Sequence, residues 1–266
     1  MDTLLFIKAL ILGLVEGATE FLPISSTGHL IIVGDLLNFN DEKGKVFEIV
    51  IQLAAIFAVC WEFRRKLIDT ALHITNQSKA QQFVLNLFLA CLPAAILGLA
   101  FHSFIKEYLF SPITVAIALI IGGFAILFIE NKTLKSPTTS IDDLTPMQAI
   151  KVGFVQSLAL FPGVSRAGAT ILGGMIFGLN RKTATEFSFF LAIPIMFAAT
   201  VLDVYTSRDI LSFNDVGMFA VGFVTAFLSA LIAIRFLLKF VATHNFKLFA
   251  WYRIIFGAIV LAYFWN

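Results

Sequence analysis

Between residues 3 and 37 the chain has two apolar arms, and neither is long enough to cross a bilayer. Residues 3–15 are apolar apart from Lys8; Glu16, Glu20, Pro23 and the run Ser25 to His29 follow, and apolar sequence then resumes as far as Leu37. A helix that crosses about 30 Å of hydrocarbon needs about 20 apolar residues. Two half-helices folding back at residues 22–25 satisfy both lengths. Such a re-entrant hairpin is allowed only where protein or a water-filled cavity surrounds it. The acids sharpen the constraint, because a charge near the bilayer centre costs roughly 2.5–3.5 kcal/mol on insertion scales. A second stretch, Gln156 to Thr170, has the same character: a Phe161-Pro162-Gly163 turn and Arg166 lie inside a broken apolar segment, 147–179.

The rest of the chain agrees with a membrane interior. It is 59% hydrophobic and 14% charged over 266 residues, with 30 Phe and a mean hydropathy of +0.92. A soluble chain of this length needs far more charge. The basic residues are scattered over short loops rather than gathered on one face, which argues against a nucleic-acid partner. Cys60 and Cys91 stand alone in apolar segments and read as reduced packing residues; there is no metal-type Cys/His cluster. Met1-Asp2-Thr3 lacks a basic run, and no small-residue cleavage site follows it, so the start reads as an uncleaved part of the fold. Full spans are expected at 46–62, 83–104 and 110–129. A polar, Pro/Ser/Thr-rich linker follows at 131–146. After the second hairpin, 147–179, spans are expected again at 186–206, 216–237 and 248–265.

The expected fold is therefore an all-α polytopic membrane protein with two repeats, 1–130 and 147–266. Each is a re-entrant helical hairpin (3–37 in the first) plus three transmembrane helices, giving six full spans and ten helices. At an offset of 140, Gly13, Glu16, Phe21, Ser25 and Gly28 fall on Gly153, Gln156, Phe161, Ser165 and Gly168. Glu48 and Leu53-Ala54 fall on Glu186 and Leu191-Ala192 at nearly the same offset. Three spans per half is odd, so the second half must lie upside down relative to the first. This is an inverted repeat with broken helices meeting near the midplane. One side then collects Arg64, Arg65, Lys66, Lys79, Lys132, Lys135, Arg181, Lys182, Lys239 and Lys247; the other holds Lys43, Lys45, Lys106 and Arg208. The positive-inside rule puts the first set in the cytoplasm and both termini outside. Trp61, Trp251 and Trp265 lie near span ends, as interfacial aromatics do. Arg253, near the cytoplasmic end of the last span, reads as a snorkelling residue.

The two turns carry the chemistry. Pro162-Gly163 makes a tight turn, and Ser165 suits the N-cap of a half-helix whose amides and dipole point inward beside Arg166. Unpaired amides plus a guanidinium make an anion site that suits phosphate, with Gly163, Ser165, Gly168 and Thr170 as candidate contacts. Ser25, Ser26 and Thr27 do the same ahead of Gly28-His29. Glu16 and Glu20, at i and i+4, share a helical face. So close a pair keeps a proton, is neutralised by Arg166, or holds a divalent cation of the Mg²⁺ or Ca²⁺ kind between its carboxylates and substrate phosphate. A hydroxyl (Ser26 or Thr27) and the His29 imidazole complete a set for metal-assisted phosphoryl transfer. Glu48, Gln52, Gln156 and Glu186 are candidates to line the same cavity, although Glu48 and Glu186 also read as helix-end acids. Most hydroxyls in membrane helices bond only to backbone. His73, His102 and His244 read as interfacial or loop residues. There is no Gly-x4-Gly-Lys-Ser/Thr loop. The vanadium-haloperoxidase-like lipid phosphatases share fragments with Ser165-Arg166 and the Ser-Thr-Gly-His run, but no His follows Arg166 at their spacing and their basic first motif is missing.

Glu-Gly-x-Thr-Glu-Phe-Leu-Pro-x-Ser-Ser-Thr-Gly-His at 16–29 and Pro-Gly-x-Ser-Arg-x-Gly-Ala-Thr at 162–170 resemble the undecaprenyl-diphosphatase family of bacterial membranes, the bacitracin-resistance type. The likeness extends over nearly the whole chain, including Phe47 to Gln52 and Glu186 to Phe189. It implies hydrolysis of undecaprenyl diphosphate to the monophosphate carrier and phosphate, recycling the lipid for cell-wall synthesis. It also implies a divalent-metal requirement, bacitracin tolerance, and a multi-pass place in the plasma (inner) membrane with the site open to the outer face. On this chain Glu16 and Glu20 match the acidic motif, Ser26 the candidate nucleophile, His29 the histidine and Arg166 the phosphate-binding arginine. Ala167 stands where the family usually has Ser. Besides bilayer lipid and the substrate, a homodimer remains an open partner. A lipid-phosphate transporter or flippase is the rival reading, because broken inverted repeats are also transporter architecture.

Overall fold

The structure is a computed structural model that describes residues 3–39, 41–104, 111–132, 134–206 and 215–265. Lys106 and Arg208, the side chains of Lys43 and His102, and residue 110 at the start of one expected span lie outside the described residues. Eleven α-helices are described: α1 (Thr3–Thr19), α2 (Ser26–Leu36), α3 (Glu42–Glu62), α4 (Arg64–His73), α5 (Ser78–Phe104), α6 (Pro112–Glu130), α7 (Pro146–Gln156), α8 (Arg166–Ile176), α9 (Arg181–Thr206), α10 (Val216–Val241) and α11 (Lys247–Phe264). Six of them (α3, α5, α6, α9, α10 and α11) are long and apolar enough to cross a membrane, which makes the protein a multi-pass membrane protein.

Local chemistry starts and stops these helices. Asp41 accepts from the Gly44 amide at 2.8 Å ahead of α3, and Ser111 caps α6 with Pro112 in its first turn. Thr145 and Gln148 form a reciprocal capping box at α7. The helix count corrects the expectation of ten. Helix α4 follows α3 after Phe63 alone and carries Arg64, Arg65 and Lys66 in its first turn, while Ile68 and Leu72 are exposed together four residues apart. At 10 residues it is too short to span.

Helices α1 and α2 form one broken pair, α7 and α8 the other. Helix α1 packs along α10, α7 along α5, α3 against α9 and α10, and α6 against α11. The shared core is aromatic-rich: Phe21, Phe187, Phe189 and Phe190 are buried, with Phe21 and Phe189 edge to face at 5.4 Å. The linker is strapped down where the Thr138 amide donates to the Gly178 carbonyl and the Asn180 amide donates to the Thr138 carbonyl.

At the end where the basic residues gather, the fully buried side chain of Glu130 accepts from Arg181 through both oxygens, at 3.1 and 2.5 Å. The same carboxylate accepts the Phe246 amide at 2.9 Å. One side chain thereby ties the end of α6 to the starts of α9 and α11. Arg235 with Glu62, and Lys66 with Asp142, pair at the same end.

Candidate active site

The tips of the two broken pairs meet. Glu20 lies just past α1, and its amide donates to the Glu16 carbonyl at 2.9 Å, so the helical register holds and both acids share a face. Ser165 caps α8 by accepting the Gly168 amide at 3.1 Å, while its hydroxyl is directed at the Leu22 carbonyl of the other turn at 3.5 Å. Gly163 has φ +88°, and a side chain there would run into the Val115 backbone at about 2.6 Å.

A chain of hydrogen bonds then crosses from one tip to the other. Ser26 Oγ donates to Glu20 Oε2 at 2.5 Å, and Arg166 Nη2 donates to Glu20 Oε1 at 2.9 Å. The guanidinium also reaches the Ser188 carbonyl at 3.1 Å and Met196 Sδ at 3.1 Å, and lies over the Phe21 ring. Ser188 itself is held by Thr170, whose hydroxyl lies 2.6 Å from Ser188 Oγ. Glu20 is 7% exposed, so the pair sits in a low-dielectric surround where charge-assisted bonds are strong. A cavity of about 160 Å³ opens beside it, lined by Glu20, Ser25, Ser26, Thr27, Gln52, Ala159, Val164, Ser165, Arg166 and Met196.

Several expected residues are elsewhere. Gly163, Gly168, Thr170, Glu48, Gln156 and Glu186 are absent from this lining. Thr170 spends its hydroxyl on the Arg166 and Ala167 carbonyls and on Ser188, which makes it a support for the arginine. Glu186 pairs with Lys182 one helical turn away, as a helix-end acid does. Ser25, expected to act on α2 as Ser165 acts on α8, makes no capping bond and holds φ +71°. That left-handed backbone is costly for a residue with a side chain and leaves the first amides of α2 without a side-chain cap. His29 also lies off the lining. Its Nδ1 is 2.7 Å from the Ser25 carbonyl and its Nε2 is 2.6 Å from Tyr252 Oη, and the ring stacks on Phe256. A carbonyl can only accept, so Nδ1 carries the proton and Nε2 accepts from the tyrosine.

Glu16 is 1% exposed, and neither of its carboxylate oxygens has a hydrogen-bond partner. Buried orphan oxygens on the same face as Glu20 are the donor type a hard cation takes. Among the described residues, however, no three His, Cys, Asp or Glu side chains come together as a ready metal cluster.

Arg253 is the largest departure from expectation. It does not snorkel; it is 2% exposed and points inward. Its Nε donates to the Leu119 carbonyl, Nη1 to Pro23, and Nη2 to Ala118 and Gly163, each at 3.2 Å. Tyr252 and Met196 were silent in the sequence and Arg253 read only as a snorkelling residue, because their partners lie far away along the chain.

These features define a multi-pass membrane protein with a buried acid, hydroxyl and guanidinium centre between the tips of two broken helix pairs. Residues 9–259 match the family model described as bacitracin resistance protein BacA, and the chain belongs to that family. It is similar to an undecaprenyl-diphosphatase of Methylobacillus flagellatus, at 67% identity over all of both chains. It is also similar to proteins of the same name from Nitrosospira multiformis, at 61% identity over 98% of this chain and 96% of that one, and from Nitrosomonas europaea, at 59% over 98% and 95%.

Proposed function

We propose that the chain hydrolyses undecaprenyl diphosphate to undecaprenyl phosphate and inorganic phosphate at the tip-to-tip centre, recycling the carrier lipid for peptidoglycan synthesis and so conferring bacitracin resistance. Family membership and the shared name of the relatives support the hydrolase over a carrier built on the same helices. The observation that carries the reading is the unbroken chain from Ser26 Oγ through Glu20 to Arg166.

Glu20 is placed to take the Ser26 proton as Oγ attacks the terminal phosphorus. The bond from that phosphorus to the bridging oxygen breaks, and Glu20 returns the proton to the departing lipid monophosphate. A water molecule, deprotonated by the same carboxylate, then attacks the phosphoserine; the bond from phosphorus to Ser26 Oγ breaks, Glu20 returns the proton to Oγ, and phosphate leaves. Arg166, the amides behind Ser165 and the uncapped start of α2 hold the developing negative charge. Direct attack by water, with Ser26 only binding, uses the same groups. His29 is a poorer nucleophile in this geometry, since both ring nitrogens are engaged. The donor set fits a divalent cation such as Mg²⁺ or Ca²⁺; Glu16 and Glu20 would hold it, and it would offset the charge of the diphosphate.

The packing supports an inverted repeat. Helix α1 meets α10 as α7 meets α5, α3 meets α10 as α9 meets α5, and α2 meets α11 as α8 meets α6. With the charged end in the cytoplasm, α1 and α2 descend from the outer face of the plasma membrane, and the site opens there.

Rapid quenching of the purified enzyme during turnover, followed by mass spectrometry, tests the mechanism. Phosphate on Ser26, and its absence in Glu20→Gln, is the expected result. Phosphate on His29, or undiminished release by Ser26→Ala, rules out the serine route. A pure carrier releases no phosphate at all.

A further inference from the structure

Arg253 is a buried cation, and every partner it has among the described residues is a backbone carbonyl. Keeping a guanidinium this deep is expensive unless its donors are satisfied, so its purpose is tied to the groups it grips. Two of these, Pro23 and Gly163, stand at equivalent places in the two turns, separated by the repeat offset of 140. Each lies two residues ahead of the serine that opens the following half-helix. The other two, Ala118 and Leu119, belong to α6, which passes beside both turns.

We propose that Arg253 is the positioning residue that fixes the separation of the two turns, so that Glu20 and Ser26 on one meet Arg166 on the other. The inference rests on the active centre described above. A planar guanidinium holds its donors at set angles, so carbonyls that share one fork are held at set distances. The fold leaves room for that fork. A Cβ on Gly122 would lie 2.3 Å from Arg253 Nη2 and 2.7 Å from Cζ, so the head lies flat against bare α6 backbone. The preceding residue extends the grip, because Tyr252 holds His29 on α2.

Two variants disturb the fork differently. Arg253→Lys keeps the charge but replaces the fork with a single point. Gly122→Ala keeps the arginine, favours the helical conformation of α6 and pushes the head aside. In detergent-purified protein each should lower kcat by roughly 10²-fold, the scale of an ångström's misplacement. Inhibition by inorganic phosphate should hold, because Arg166, Ser165 and the amides of α8 ride together on one turn. Glu20→Gln, assayed alongside, should be inactive. If both variants turn over normally while Glu20→Gln is dead, the positioning role is wrong and the centre stands. If kcat and phosphate inhibition fall together in both, Arg253 merely holds the fold and the proposal is again overturned. An active Glu20→Gln would dismiss the centre, and the positioning role with it.

Discussion

At the scale of single residues, the site depends on how many groups Arg166 can hold at once. It reaches a carboxylate on the opposite tip and a carbonyl of α9 with separate nitrogens. Lysine supplies charge but cannot bridge them, so Arg166→Lys should lose roughly 10²–10³-fold in phosphate release from a lipid diphosphate. Near-native release would mean that charge alone suffices. Glu16, Glu20, Ser26 and Arg166 were legible in the sequence because apolar surroundings make such groups conspicuous. Arg253 was misread for a physical reason: seven residues into a span, a snorkelling arginine and an inward one have the same local sequence. Only the carbonyls of Pro23 and Gly163, 230 and 90 positions away, distinguish them. His29 stands one turn beyond Ser26 on α2, but the direction of its ring depends on Tyr252.

At the scale of helices, apolar length and Pro-Gly punctuation revealed the spans and both broken pairs. Helix α4 escaped because three basic residues in its first turn read as a loop. Close packing was also hidden. Gly13 on α1 leaves no room for a Cβ, which would lie 2.5 Å from the Gly222 carbonyl oxygen of α10. Gly153, its counterpart on α7, would place one 2.4 Å from the Ala90 carbonyl oxygen of α5. Backbone cannot yield as a side chain can. Gly13→Val and Gly153→Val should each destabilise the protein by about 1–3 kcal/mol, measured as a thermal shift in detergent, and by similar amounts if the halves are equivalent.

At the scale of the whole molecule, the arrangement makes a claim about sidedness. Single cysteines placed at Asp41 and at Lys135, in a chain carrying Cys60→Ala and Cys91→Ala, should differ in labelling by a membrane-impermeant thiol reagent on intact cells. Asp41→Cys should react and Lys135→Cys should not; the reverse pattern would invert the topology.

The Glu130 fastening gives the same asymmetry a mechanical form. A carrier that alternates between two faces must part its helices at each end in turn, and here one end is stitched by a buried carboxylate that binds two other helices at once. Parting those helices would break three charge-assisted hydrogen bonds on every cycle. A hydrolase needs no such excursion: reactant and products can use the same doorway, and the far end can stay sewn shut.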